Sequence, residues 1–283
     1  MKASAAQPQR VTSGRVLYDP VVHPIERLRY LARAGDVPTA PLVREAAIAL
    51  ASFAHDPVEL LTACRQLLER RPTSGPLLWV AARMVTGTDP GTEAWEAVEA
   101  LERDTTAREV AHALPADATV LVIGAGEISS AAVLQRPDVQ VLVADTVGEG
   151  YGLIRQLDAR DHVAVDVPAV GVGAAAAEAD LVLIEAQVMH EEAALCRPGS
   201  LSAAAVAHHL EIPVWLVAGV GRVVPTRMYD WVADRSDDRD PWDDEVESVP
   251  VSLVDKLLGP SGPQPVSEVR YRIDCPIAPE LFR

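Results

Sequence analysis

The stretch that decides the fold is DLVLIEAQVMHEEAALCRPGSLSAAAVAHHLEIPVWLVAG, residues 180–219. It holds two continuous apolar runs, Leu181–Ile184 and Val214–Val217, which lack the in-and-out alternation of a half-exposed strand. Such runs are typical of parallel strands that are covered on both faces. Between them the Ala-rich segment Leu201–His209 predicts a helix, and a proline precedes the second run. The pattern therefore predicts a βαβ crossover.

The segment Glu185–Ser200 joins the first of these strands to the helix and is predicted to be a polar loop. It leaves the carboxyl end of the strand, and ligands of open α/β sheets bind at that edge. We therefore expect any small-molecule site to include this loop. Glu185 and His190 are candidate catalytic residues within it, although a lone loop histidine is more often incidental.

Composition limits the class of protein. The chain has 283 residues, 49% of them hydrophobic, and a formal net charge of −16 at pH 7. Its length and apolar content predict a globular protein of one large or two modest domains. The acidic charge argues against direct nucleic-acid binding, which needs Lys and Arg to displace phosphate counterions.

The cysteines and the lengths of the apolar runs give an expectation for the cellular compartment. Cys64, Cys196 and Cys275 are scattered, which is typical of reduced thiols and gives no metal-site spacing. No apolar run approaches the length of a membrane span, and the first residues lack the apolar centre of a signal peptide. We therefore expect a cytoplasmic protein that does not contact membranes.

Apolar residues recur at helical spacing through the first 115 residues. After a polar start of about 15 residues, helices are predicted over Ile25–Arg33, Ala40–Ala54, Pro57–Arg70, Gly75–Val85 and Glu93–Leu114. No strand is needed before residue 119. The predicted organisation is a helical domain over residues 1–115 and an α/β domain over residues 116–283.

The second domain opens with alternating strand and helix patterns. They are a strand at Thr119–Ile123, a helix at Glu127–Leu134, a strand at Val139–Ala144, a helix at Tyr151–Asp158, a strand at His162–Asp166 and a helix at Gly173–Ala179. This order predicts a Rossmann-like, mostly parallel sheet with helices on both faces.

The first turn of that domain has two readings. Gly124 and Gly126 with the acid Asp145 resemble a dinucleotide fingerprint, in which glycines admit a pyrophosphate and an acid binds a ribose hydroxyl. The third glycine position is Ser129 and the helix is short, so a sharp strand-to-helix turn explains the same residues. An enzyme that uses NAD, FAD or S-adenosylmethionine stays an alternative, and no cofactor is predicted.

Three segments resemble the initiation-factor-2B-like family. They are Arg71-Pro-Thr with Trp79 and Met84 in register, the strand–loop–helix–strand of residues 180–219, and the C-terminal YRIDCPIAPELFR. The family includes the alpha, beta and delta subunits of eukaryotic initiation factor 2B, methylthioribose-1-phosphate isomerase and ribose-1,5-bisphosphate isomerase. The resemblance spans the chain and implies a helical domain before a Rossmann-like one, and a homodimer formed through the sheet domain.

The resemblance also implies ligand-binding residues. In the isomerases the arginine of the first motif contacts the substrate phosphate, which implies that role for Arg71; an ion pair with a nearby glutamate is the other reading. Arg197, Gly199 and Ser200 take the places of the family's Lys-x-Gly-Thr. An arginine, a glycine and a hydroxyl before a helix form an anion nest, whereas a simple helix cap at Ser200 is the alternative.

The family's catalytic chemistry is not kept. The catalytic Cys has no counterpart in VLVIGAGEI, and the catalytic Asp corresponds to Gln187, which cannot exchange a proton at neutral pH. Glu185 lies two residues earlier, which displaces its carboxylate by about 6 Å or more. The resemblance therefore implies a protein that binds a phosphorylated small molecule or a protein partner without isomerase chemistry. The alternative is an active aldose–ketose sugar-phosphate isomerase that uses Glu185, His190 or Glu127 in new roles.

Residues 235–247 are rich in acids and are predicted to be a solvated loop. Asp237, Asp238 and Asp240 lack the spacing and glycine of an EF-hand, so no metal site is predicted. Trp231 and Trp242 beside this run predict a contact surface, because exposed aromatic side chains often mark one.

Overall fold

The computed structural model describes residues 38–148, 150–236, 240 and 242–282. The start of the chain, with its predicted helix at Ile25–Arg33, lies outside the described residues, as do Asp237 and Asp238 of the acidic run.

Five of the described helices precede the first strand, and the first four are α1 (Thr39–Ala51), α2 (Pro57–Arg70), α3 (Gly75–Thr86) and α4 (Pro90–Glu102). Helices α2 and α4 each begin after an aspartate whose carboxylate accepts hydrogen bonds from the first free amides, and each has a proline at its first position. Together the helices enclose a core that includes Leu50, Leu67, Leu68, Leu77, Leu78 and Met84.

The single helix predicted over Glu93–Leu114 is wrong, because the chain breaks there into α4 and α5 (Thr106–Ala113). The Asp104 carboxylate accepts hydrogen bonds from the Thr106 amide, at 2.9 Å, and from the Thr106 hydroxyl. Asp and Thr stabilise a helix start better than a helix interior. Helix α5 packs on the sheet rather than on α4, so the boundary placed at residues 115 and 116 stays a prediction.

The described residues form a nine-stranded sheet. Its strands are β1 (Thr119–Ile123), β2 (Gln140–Asp145), β3 (Ala164–Pro168), β4 (Leu181–Met189), β5 (Ala193–Cys196), β6 (Val214–Val217), β7 (Glu247–Pro250), β8 (Lys256–Gly259) and β9 (Gly262–Pro265). The main order is β3-β2-β1-β4-β6-β8-β9, and every pair in it is parallel except β8 with β9. The predicted mostly parallel α/β fold is confirmed.

Five further helices accompany the strands: α6 (Glu127–Val133), α7 (Gly150–Asp158), α8 (Val172–Glu178), α9 (Ser200–His209) and α10 (Thr226–Ser236). Successive residues of β1 and β4 enter different cores on the two faces of the sheet. One core packs Leu121 and Ile184 on α8 and α9, and the other packs Val122 and Leu183 on α5, α6 and α7. None of the described helices is long and apolar enough to cross a membrane.

The polar loop predicted over Glu185–Ser200 is also wrong in its first half. Strand β4 continues to Met189, turns, and returns as β5, which pairs antiparallel with β4 and with β7. The register shifts between Ala186 and Val188, so a β-bulge lies at Gln187. Strand β4 therefore pairs with β1 and β6 along its first part and with β5 along its second, and Gln187 lies where it changes partner.

The order of the strands determines where a ligand would fit. From β1 the chain proceeds to β2 and β3 on one side, and then continues from β4 to β6 and β8 on the other. The carboxyl ends of β1 and β4 therefore form a topological switch point. Crevices that bind ligands form at such points in open α/β sheets.

Candidate ligand-binding cleft

A cleft of about 630 Å³ opens at this switch point. The sheet part supplies Glu185 and Gln187 from the end of β4, together with residues of α6 and α7. The helical part supplies the start of α1 and the turn between α2 and α3. Both parts of the molecule therefore form its walls.

Three arginines line this cleft: Arg222, and two that come from opposite parts of the chain. Arg71 directly follows α2, next to Thr73 and Ser74 of the turn, and Arg197 follows β5. The side chain of Arg197 lies against the backbone of Gly124, where a β-carbon would be 2.9 Å from Arg197 Cδ. Gly124 has φ +61°, which also favours glycine. Arg71, Gln187 and Arg197 were predicted as ligand-binding residues, and the structure brings them together.

Gln187 offers a neutral polar group to the cleft. Its side chain makes no hydrogen bond within the described residues, and its backbone carbonyl lies against Gly75 at the start of α3. A side-chain amide can both donate and accept hydrogen bonds. Gln187 can therefore bind a hydroxyl of a ligand, but it cannot move a proton.

Glu185 has a different environment. It pairs with Arg222 at 2.9 Å, and the two side chains are only 5% and 8% exposed. Its Oε2 accepts hydrogen bonds from the amides of Ile128 and Ser129, at 3.1 and 2.9 Å, and from the Ser129 hydroxyl at 2.7 Å. Arg222 Nη1 also donates to the Ala186 carbonyl at 2.6 Å. The Glu185 carboxylate is therefore fully engaged inside the protein.

These contacts set the charge of Glu185. Burial alone raises its pKa, but the charge of Arg222, the hydrogen bonds from Ser129 and the charge of Arg197 outweigh burial and lower the pKa below its ordinary value. Glu185 is therefore an ionised carboxylate at neutral pH. A group of this kind stabilises the site electrostatically and is poorly matched to exchanging protons.

Gly126 and Asp145, the other residues of the dinucleotide pattern, also have partners inside the protein. A β-carbon at Gly126 would be 2.4 Å from Glu185 Oε2, so the glycine admits the Glu185 carboxylate to the start of α6. Asp145 accepts a hydrogen bond from the Gly148 amide at 2.7 Å, in the turn after β2. The amides that would hold a pyrophosphate are taken by Glu185.

Glu127 and His190, the remaining catalytic candidates, lie in different places. Glu127 lines the cleft, and its Oε2 accepts a hydrogen bond from the Thr39 amide at 2.9 Å, which caps α1. His190 is buried outside the cleft, with its ring centroid 4.2 Å from that of Tyr229. Burial lowers the pKa of His190, which keeps its imidazole neutral. The structure therefore separates His190 from the other candidates.

Gly199 and Ser200 lie at the start of α9 and do not line the cleft in the part of the chain that the structure describes. Gly199 has φ +94°, and its α-carbon faces the Thr146 methyl group. The amide of Leu201 donates to the Glu247 carboxylate. An internal carboxylate therefore takes the position that an anion would occupy in the predicted nest.

Sequence reasoning missed Arg222, Thr39 and Glu247. Arg222 stands in VAGVGRVVP, directly after β6. A single charged residue within an apolar run at the carboxyl end of a strand is the signal that could have identified it. Glu247 and Thr39 give no such signal, because their partners lie far away in the sequence.

The cysteines do not supply a nucleophile. All three, Cys64, Cys196 and Cys275, are buried, and none lines the cleft. Burial raises the pKa of Cys64 to about 12 and raises those of the other two thiols further. A thiol with a raised pKa is a poor nucleophile at neutral pH.

No protein-family model and no curated protein matches the sequence. Solved structures do match it. Initiation factor eIF2B beta from Chaetomium thermophilum is 16% identical, with a TM-score of 0.71 over 91% of this chain and 92% of that one. The translation initiation factor eIF-2B of Pyrococcus horikoshii OT3 is 15% identical, with a TM-score of 0.69 over 85% and 96%. The tetrameric eIF2B-beta2-delta2 complex from C. thermophilum matches at 17% identity, with a TM-score of 0.70 over 87% and 91%.

At such identities the likeness is one of fold, and it extends over nearly the whole length of both chains. It agrees with the sequence segments that carry the resemblance, from Arg71 to the C-terminal residues. The chain therefore has the fold of the initiation-factor-2B-like proteins.

Proposed function

We propose that the protein is an initiation-factor-2B-like member that binds a phosphorylated small molecule in the cleft and lacks the isomerase chemistry of its relatives. The observation that supports this most is that Arg71 and Arg197 line one cleft at the switch point of the sheet.

The chemistry of the cleft fits such a ligand. A guanidinium offers paired donors that match the oxygens of a phosphate. Thr73 and Ser74 add hydroxyl groups, and Gln187 adds an amide for a sugar hydroxyl. The volume of about 630 Å³ lies within the range of about 300–1,000 Å³ that is common for small-molecule sites.

The same residues argue against isomerisation. An aldose–ketose isomerase moves a proton between neighbouring carbons, which needs a group that can accept and return it. Gln187 is neutral, Glu185 is held ionised by Arg222, and Glu127 is bound to the start of α1. This argues against the alternative of a rebuilt isomerase, and the occupied start of α6 argues against a dinucleotide-dependent enzyme.

A thermal-shift screen with isothermal titration tests the proposal. The panel comprises pentose phosphates and bisphosphates, methylthioribose-1-phosphate, purine nucleotides, NAD and S-adenosylmethionine. A ligand at a hundred times its Kd adds about 2.7 kcal/mol to the free energy of unfolding, which such a screen detects. We expect a shift with sugar phosphates that Arg71→Ala and Arg197→Ala abolish.

The matched control is Arg70→Ala, which removes an exposed arginine next to Arg71 that does not line the cleft. This variant should keep the wild-type affinity. A shift with NAD or S-adenosylmethionine alone, or an undiminished affinity in Arg71→Ala, contradicts the proposal. Incubation of a bound sugar phosphate in D₂O should leave its carbon-bound protons unexchanged, and exchange would indicate isomerase chemistry.

We also propose, from the same resemblance, that the protein is a homodimer, and, from its scattered cysteines, that it is cytoplasmic. The solved structures with a similar fold include the tetrameric eIF2B-beta2-delta2 complex from C. thermophilum, and its assembly is a property of that complex. Light scattering of the purified chain should give twice the mass of one chain, and a monomer at micromolar concentration contradicts this part of the proposal.

A further inference from the structure

A smaller cavity adjoins the cleft. Its volume is about 170 Å³, and helices α1, α4, α5 and α6 form its walls together with the chain that follows β6. This side cavity shares four lining residues with the cleft: Thr39, Glu127, Ala131 and Arg222. An engineered cavity of about 150 Å³ holds a benzene molecule, so the side cavity has room for a group of several non-hydrogen atoms.

The side cavity combines apolar walls with two carboxylates. Its apolar lining residues are Ala40, Leu101, Ala107, Ile128, Ala131 and Val220. Asp104 accepts hydrogen bonds from the amide and the hydroxyl of Thr106 and, at 2.9 Å, from the Val220 amide. Glu127 accepts one hydrogen bond, from the Thr39 amide. Because a carboxylate offers about four acceptor sites, both residues are still able to accept hydrogen bonds from a ligand.

Arg222 lies at the boundary of the two cavities and has donors that the protein does not use. It is 7% exposed, and its Nη1 donates to the Glu185 carboxylate and to the Ala186 carbonyl. Its Nε and Nη2 make no hydrogen bond within the described residues, and Arg222 lines both cavities. Buried donors normally have partners, so these groups favour an acceptor atom of a ligand at this boundary.

The charges around the side cavity are unequal. Glu185 neutralises Arg222 inside the protein, and Arg272 interacts electrostatically with both Asp104 and Asp274. Four carboxylates therefore surround two guanidiniums: Asp104, Glu127, Glu185 and Asp274 against Arg222 and Arg272. The cleft, in contrast, is lined by three arginines and two glutamates. A ligand that extends from the cleft into the side cavity thus passes from a positive to a negative environment.

We propose that the side cavity binds an ammonium group, so that the ligand of the cleft is a phosphate monoester with a primary amine, as amino-sugar phosphates are. The ammonium donates to Glu127 and Asp104, and the carbon atoms beside it contact the apolar walls. A neighbouring hydroxyl of the ligand accepts a hydrogen bond from Arg222. The phosphate lies at Arg71 and Arg197, so this inference rests on the proposed function and names the ligand class of the same site.

Glucosamine 6-phosphate and glucose 6-phosphate test the inference, because they differ only by an amine or a hydroxyl at one carbon. Glucosamine 1-phosphate and glucose 1-phosphate form a second pair, with the phosphate on a different carbon. In at least one pair, titration calorimetry at neutral pH should show about tenfold tighter binding of the amine, equivalent to about 1.4 kcal/mol. A preference below about twofold in both pairs, or binding of neither amine, overturns the inference.

Two variants locate the preference in the side cavity. Glu127→Gln removes one negative charge and keeps an oxygen that accepts from the Thr39 amide, and Ala107→Leu fills the side cavity with a larger apolar side chain. Each should abolish the preference for the amine and leave the affinity for the glucose phosphate unchanged. Glu178→Gln is the matched control, because it makes the same change at an exposed position of α8 that lines neither cavity. A preference that survives both variants, or an equal loss in Glu178→Gln, overturns the inference.

The outcomes separate this inference from the proposed function. Equal binding of both members of each pair that Arg71→Ala abolishes supports the phosphate site in the cleft and overturns the amine site. A preference that Glu127→Gln removes, together with affinities that Arg71→Ala leaves unchanged, supports the amine site and overturns the phosphate site.

Discussion

Three carboxylates in and around the cleft accept hydrogen bonds from the first amides of helices. Glu127 caps α1, Glu185 caps α6 and Glu247 caps α9. Helix starts attract anions because their amides are free and their dipole is positive. The protein therefore satisfies these positions with its own side chains, and an external phosphate must rely on arginines or displace one of the carboxylates.

The pair of Glu185 with Arg222 gives a stability prediction. Glu185→Gln leaves the buried guanidinium without a charged partner, and we expect the free energy of unfolding to fall by about 3–5 kcal/mol. Glu102→Gln breaks the exposed pair with Arg44 and should cost only about 0–1 kcal/mol. Denaturant unfolding at neutral pH measures the free energy of unfolding of both variants. Equal losses in the two would contradict the larger effect expected for the buried pair.

The same residue gives a pH dependence. Burial raises the pKa of Glu185, but the Arg222 charge and the Ser129 hydrogen bonds have the larger combined effect. They lower the pKa below 4.5 in the folded state. A carboxyl group with a lowered pKa stabilises the fold above its unfolded pKa and loses that effect as the pH falls through the folded value. The difference in unfolding free energy between wild type and Glu185→Gln should be constant above about pH 5 and shrink below about pH 4. A constant difference down to pH 3 would contradict this.

At the scale of elements, the turn between β1 and α6 is limited by space. A methyl group at position 126 would meet both Glu185 Oε2 and Ser129 Oγ at 2.4 Å. Gly126→Ala should therefore lower the free energy of unfolding by about 1–3 kcal/mol and displace the Glu185 carboxylate. Gly152→Ala lies in α7 with open space around it and should instead raise stability by about 0.5–1 kcal/mol. Thermal unfolding compares the stability of the two variants with that of the wild type. An unchanged stability in Gly126→Ala would contradict the close packing around Gly126.

The elements that could be predicted are those whose signal is local. The bounds of α2, β1 and β6 agree with the prediction, because a helical period or a continuous apolar run defines each one. Strands β5, β8 and β9 gave no such signal. They are four residues long and β9 contains two prolines, so their pairing depends on strands that are distant in the sequence.

The site was predictable to the extent that motifs carried it. Arg71, Gln187 and Arg197 stand in segments that resemble a family, and the structure places all three around one cleft. Arg222 was missed because its position depends on the tertiary path after β6, where its carbonyl accepts from the Met189 amide at 2.8 Å. The single polar loop expected over Glu185–Ser200 failed because a hairpin replaces its first half.

At the scale of the whole molecule, the helical part and the sheet part share a core. Residues of α10 and of the C-terminal segment, including Val232, Ala278 and Leu281, pack with the helices before the sheet. The two walls of the cleft are therefore joined by buried side chains as well as by the cap of Glu127 on α1.

The net charge of −16 gives a further prediction. Like charges repel one another in the compact state, and salt screens this repulsion. Raising NaCl from about 0.05 M to about 0.5 M should raise Tm by an amount on the order of a few degrees. The same charge predicts no retention on immobilised heparin or DNA at low salt. A Tm that falls with salt, or firm retention, would show that local ion pairs or a basic patch dominate.

The β-bulge at Gln187 has a consequence for evolution and for engineering. The backbone there is fixed from two sides, by the change of partner along β4 and by the close approach of its carbonyl to Gly75. The side chain, in contrast, projects into the cleft without a hydrogen bond among the described residues. A substitution at position 187 can therefore change the chemistry of the cleft, while the backbone and the surrounding fold stay the same.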